Sequence, residues 1–89
     1  MVFLYVRHRV RNYEQWKVQF DEDESYRLKH GIEMRKIFRS IKEPNEVFIL
    51  LEASTLDAVY EFFKSDNLKK RMRSAGVIDE PEIHYLELA

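Results

Sequence analysis

The sequence has no cysteine, which excludes a disulfide framework, a thiolate metal site and a thiol nucleophile, and suits a reducing compartment. Glycine and proline occur only twice each, too few for a phosphate-cradling glycine loop or a flexible linker. Charge of one sign is not in excess either. Fifteen Lys and Arg against sixteen Asp and Glu leave a net charge of −1, so no whole-protein field steers the chain onto nucleic acid or anionic lipid. No apolar run reaches the length needed to span a bilayer. The opening MVFLYVRHR is apolar and then basic, the reverse of a secretory signal, and a cytoplasmic location is the expectation.

What is abundant is aromatic. Six Phe, five Tyr and one Trp in 89 residues imply that one small domain, residues 1–89, builds its core from large side chains. Residues 2–10 alternate, with Val2, Leu4, Val6, His8 and Val10 on one side and Phe3, Tyr5, Arg7 and Arg9 on the other, the period of a strand. At Asn12 the period becomes helical. Asn12 reads as an N-cap with Gln15 in the capping-box position, Tyr13, Trp16 and Phe20 follow, and Gly31 closes the helix. The acidic run Asp21 to Glu24 reads as a solvated face of that helix.

A second strand is expected over Ile32 to Ile41, a turn at Pro44-Asn45, and a third strand over VFILLEA, 47–53. Ser54 is expected to cap a helix whose buried stripe is Leu56, Val59, Tyr60 and Phe63. SDNLKKRMRSAG reads as a short extra helix, and Pro81 opens a last strand, 82–88. The order is βαββαβ with the extra helix before the last strand. That is an α+β, ferredoxin-like split βαβ arrangement with both main helices on one face of a four-stranded antiparallel sheet.

The other face should be polar in a solvated sheet. Here Phe3, Tyr5, Phe48, Leu50, Leu86 and Leu88 fall on it. So much uncovered apolar surface marks an interface, and the chain is expected to pair with a second copy of itself through this open face.

The segments VRHRVRNYEQW, Arg27 with Gly31, EPNEV, STLDAVYEFFKSDNLKKRMRSAGV and PEIHYL together resemble the dimeric α+β barrel superfamily, which includes the antibiotic-biosynthesis monooxygenase-like proteins. Within it the chain is most similar to small bacterial proteins labelled cyclase or monooxygenase-like. The resemblance runs along the whole chain and implies a homodimeric barrel, with a ligand held between sheet and helices and no cofactor. Such proteins commonly carry Asp-Tyr where this chain has Asn12-Tyr13. Asparagine caps a helix as well as aspartate does, but a proton-transferring carboxylate is missing there. Relatives that place a histidine in the third strand are not matched at Leu51 or Glu52.

His8 is the strongest candidate for chemistry, as a general base or as a hydrogen-bond donor to a small carbonyl or phenol. The competing reading makes it a histidine bonded to a neighbour that holds the strand in place. The His-x-Val…Tyr-x-x-Trp spacing belongs to the pattern of the resembled group. Trp16 is either core or the wall of a cavity, and Tyr60, Phe63 and Met72 carry the same alternatives, Met72 as an adaptable liner. Asn12 is counted with the ligand-facing residues. Glu52 ends an apolar strand and needs a partner, for which Arg7, Arg9 or Arg39 are expected, or else serves as an acid or base. His84, with His8 and Glu52, would complete a 2-His-1-carboxylate set, but the spacing is nonlocal and no metal site is read from it. KKRMR, 69–73, reads as a solvated basic face. RNA recognition is set aside, because the Lys/Arg-Gly-Phe/Tyr motif is absent and a dimer would cover the sheet aromatics. The expected role is that of a small-molecule-binding homodimer for an apolar or aromatic ligand. The alternative is a cofactor-independent oxygenase or cyclase-like enzyme acting on a small aromatic or polyketide-like compound with His8 as acid/base.

Overall fold

Alternation decides the first strand. In the computed structural model, which describes residues 1–89, β1 (Val2–Arg9) buries Leu4, Val6 and His8 and leaves Phe3, Tyr5 and Arg7 on the opposite side. Asn12 then caps α1 (Tyr13–Glu22), its side chain accepting the Gln15 amide at 3.0 Å. The junction is held by the turn at Pro44-Asn45, where the Asn45 backbone carbonyl accepts from the Val10 amide and its side-chain oxygen from the Tyr13 amide.

The helix does not run on to Gly31. It breaks at Asp23 and resumes as α2 (Glu24–Lys29). The cause is a pair of competing contacts. The Phe20 carbonyl accepts from the Arg27 guanidinium at 2.7 Å and from the Asp23 amide at 3.3 Å, while the Asp23 carboxylate accepts from Arg71, 48 residues away, at 2.5 Å. Gly31 follows at a φ of +74°, a left-handed turn that glycine adopts without steric cost.

Next come β2 (Ile32–Arg39), β3 (Glu46–Ala53), α3 (Leu56–Lys64), α4 (Asp66–Ser74) and β4 (Glu82–Glu87). The four strands form one antiparallel sheet in the order β2-β3-β1-β4. This is the expected ferredoxin-like fold. β2 stops at Arg39, short of Ile41, and carries an irregularity between Met34 and Lys36. Two details of α3 differ from expectation. Thr55, not Ser54, is the N-cap, accepting the Ala58 amide at 3.2 Å. The buried side chains are Val59 and Phe62, whereas Tyr60 is 50% exposed. An i, i+3 step from Val59 reaches Phe62 on the sheet-facing side, and Tyr60 turns outward against Tyr85 instead.

All helices cover the face formed by Leu4, Val6, Val47, Ile49 and Leu51. On the other face Tyr5 and Phe48 lie 5.9 Å apart between ring centroids, and Phe38 and Leu86 are exposed. No helix is long and apolar enough to cross a membrane.

Candidate functional site

Between the covered sheet face and the helices lies an apolar cavity of about 70 Å³. Its floor is the sheet, through Val6, His8, Ile49 and Leu51; its cover is helical, through Trp16, Phe20, Phe62 and Met72. It abuts a wider depression of about 420 Å³, with which it shares Phe63, Leu68, Met72 and Val77. Those four side chains, on α3, on α4 and after it, form the boundary between the cavity and outside.

His8 is 2% exposed and neither ring nitrogen has a hydrogen-bond partner. Burial lowers its pKa to about 4, the field of Arg7 acting in the same direction and Asp79 opposing it. At neutral pH the imidazole is therefore uncharged, with one N–H to donate and one lone pair to accept. A buried polar group with no partner costs about 1–3 kcal/mol, so two on one ring call for an explanation. The alternative of a histidine bonded into the strand meets no bond to support it.

The aromatic wall continues from His8 in sequence along α1. The His8 and Trp16 rings meet edge to face at 5.6 Å, and Trp16 stacks on Phe20 at 4.8 Å. The Arg27 guanidinium lies over the Phe20 ring, 3.7 Å from its centroid, and Arg71 lies over Tyr26 at 4.1 Å.

The cavity thus brings together His8, Trp16, Phe63 and Met72 among the candidates from sequence. It does not include the other four. Asn12 is exposed and its side-chain oxygen is engaged as a cap. Tyr60 points out of the fold. Glu52 lies on the open face and binds Arg35 through both carboxylate oxygens at 3.1 Å. It does not meet Arg7, Arg9 or Arg39, because its cross-strand neighbours are Phe3 and Glu33 while Arg7 sits opposite Phe48 and Arg39 opposite Val47. His84 is also on the open face, opposite Tyr5, and its Nε2 lies 2.9 Å from Glu82. His8 and the pair Glu52 and His84 are on opposite faces of the sheet, so they cannot converge on one metal ion.

Two polar residues of the site, Asp23 and Arg71, escape the reading from sequence, and a third, Arg27, enters it only as part of the resemblance. Asp23 belongs to a run that reads as a solvated acidic face and Arg71 to one that reads as a solvated basic face, yet both line the cavity, as does Arg27, only 6% exposed. For Arg71 a signal exists: it follows the buried Leu68 by three residues and precedes Ala75 by four, on the stripe that faces the sheet. Asp23 carries the same signal, three residues after Phe20 and four before the buried Arg27.

No protein-family model and no curated protein matches the chain. Its fold is that of the antibiotic-biosynthesis monooxygenase-like proteins among solved structures. A Bordetella bronchiseptica protein provisionally named an antibiotic biosynthesis monooxygenase superposes with a TM-score of 0.79 at 13% identity, covering 99% of this chain and 96% of that one. SnoaB, a cofactor-independent oxygenase from Streptomyces nogalater, gives 0.78 at 11% identity over 99% and 92% of the two chains. A conserved protein from Methanosarcina mazei gives 0.71 at 16% identity over 96% and 89%. At these identities the likeness establishes the shared fold.

Proposed function

We propose that this protein binds a small aromatic molecule carrying a hydroxyl or carbonyl group in the cavity between sheet and helices, with His8 making the polar contact. The single observation that carries this reading is the buried, neutral imidazole of His8 with both nitrogens unpaired in an apolar cavity. A ligand hydroxyl can donate to the bare ring nitrogen, or a ligand oxygen can accept from the ring N–H, as the tautomer requires, removing the cost of one of the two unpaired atoms. The cavity is small beside the roughly 300–1,000 Å³ usual for ligand pockets. A cavity of about 150 Å³ admits benzene, so at about 70 Å³ even a single substituted ring requires Phe63 and Met72 to move and join the cavity to the wider depression.

A second reading is favoured by the free lone pair of His8 and by the fold shared with a named cofactor-independent oxygenase. In it His8 removes the proton of a bound hydroxyl and leaves an anion on the ring. Energetics restrict the substrate. With His8 near 4 and an ordinary phenol near 10, proton transfer is uphill by about 8 kcal/mol before the new ion pair attracts itself. Turnover therefore asks for a hydroxyl more acidic than that of phenol, such as an enol flanked by carbonyls. Binding through a hydrogen bond carries no such requirement, which is why it stands first.

We further infer that two copies associate through the uncovered sheet face, as the apolar side chains there require a cover. Native mass spectrometry of the purified protein, then denaturation of the same sample, tests both parts. Twice the chain mass of 10.9 kDa plus a small adduct released on denaturation is the expected result. A protein that takes up none of phenol, indole or 2-naphthol when these are added would sink the binding reading.

A further inference from the structure

The helical cover of the cavity holds more positive charge than it needs. Arg27 and Arg71 line it against a single lining carboxylate, Asp23. Asp21 and Glu24 bear on Arg27 electrostatically, but both are exposed and neither lines the cavity. Arg71 gives one N–H to Asp23 at 2.5 Å, yet its Nε is buried with no acceptor. Arg27 is almost wholly buried and its one hydrogen bond goes to the Phe20 carbonyl. Each guanidinium has a face occupied by an aromatic ring, so the donors that remain point along its edge. A planar cation fixed by stacking, with edge donors unfilled, suits a carboxylate, which takes two parallel N–H bonds from such an edge. The buried Nε of Arg71, left without an acceptor, is the costly one.

We propose that the cavity, opened into the adjoining depression, takes an aromatic carboxylate, its carboxylate received by Arg71 and Arg27 on the helical cover and its hydroxyl or carbonyl by His8 on the sheet floor. This rests on the ligand-binding reading above and narrows it to a hydroxyaryl acid or a close analogue. Two guanidiniums against one lining carboxylate suit an anionic group at this end of the cavity. The Trp16–Phe20 stack lies between the two polar ends and supplies the surface for the ring.

Isothermal titration calorimetry of the purified protein with phenol, 4-hydroxybenzoate and 4-hydroxybenzamide tests the proposal, the acid and the amide being matched in shape. The acid is expected to bind at least about tenfold more tightly than the amide, as a charge-assisted bond exceeds a neutral one. In Arg71→Met and Arg71→Lys that preference shrinks. Equal binding of acid and amide overturns the carboxylate site and leaves the aromatic-ligand reading standing. Failure of all three compounds to bind overturns both. An acid preference undiminished in both Arg71 variants overturns the role given to that residue. Should the variants not fold, the acid-against-amide comparison in the unaltered protein decides.

Discussion

The imidazole of His8 stands edge-on to the indole of Trp16, ring centroids 5.6 Å apart and planes at 74°. Such a contact is worth about 0.5–1.5 kcal/mol and fixes the ring without occupying either nitrogen, both of which lack a hydrogen-bond partner. Packing positions the group and leaves its chemistry unspent. A histidine retained for stability would show the reverse, with its nitrogens bonded and its ring incidental.

The first prediction follows from that contrast. Replacing a bonded buried histidine with an apolar residue destabilises by about 1–3 kcal/mol, whereas replacing an unbonded one removes a penalty. His8→Leu is therefore expected to unfold in urea at the same concentration as the parent or higher, while losing uptake of phenolic ligands. A clear fall in the urea midpoint would return His8 to a structural role.

The same burial makes stability depend on pH. The folded protein holds His8 near 4, against about 6.5 in the unfolded chain. Between these values the unfolded state binds the proton and the folded state does not, so acidification favours unfolding. Stability present above pH ~6.5 is lost as pH falls toward ~4, by at most about 3 kcal/mol from this residue. Urea unfolding at a series of pH values should show the decline in the parent and a shallower one in His8→Leu. Parallel curves for the two proteins would mean that His8 ionises freely in the folded state.

How far the site could be read from sequence depended on how local its causes were. The period-two pattern of β1 placed His8 beside Val6 and Val10 under the helices, and Asn12 announced its helix as a cap, because each effect acts within a few residues. The break at Asp23 was hidden, since Arg71, its partner, lies 48 residues away. Phe62 and Phe63 illustrate a different limit. Adjacent phenylalanines are equivalent in composition, and only docking against the sheet buries Phe62 and leaves Phe63 at the rim of the cavity. Glu52 found Arg35 rather than Arg7 because register, which periodicity does not specify, set which residues face one another.

The Asp23–Arg71 contact ties the α1–α2 break to α4 and is open to a double-mutant cycle. Asp23 is 15% exposed and Arg71 35%, so solvent screens part of the attraction. Asp23→Asn and Arg71→Met are each expected to cost about 1–2 kcal/mol, and the double variant less than their sum, with a coupling of about 1 kcal/mol. Thermal unfolding of the four proteins at low salt measures it. Strictly additive losses would show that the pair contributes nothing beyond its separate packing, and that the break in the first helix has another cause.

The open sheet face is the remaining surface with a definite expectation. Tyr5, Phe48 and Leu50 are only half-covered there, and Phe38 and Leu86 are 49% and 46% exposed. A second copy would bury these side chains, and obligate interfaces of this apolar kind do not tolerate an unpaired charge at the centre. Phe48→Lys sets a cation directly opposite Arg7 across the strands, while leaving the helix-covered core untouched. Light scattering coupled to gel filtration should give about twice 10.9 kDa for the parent and 10.9 kDa for the variant, with similar far-ultraviolet circular dichroism. A parent that already runs at the mass of one chain would show that these aromatics face water. A variant that remains a dimer would place the contact on another face.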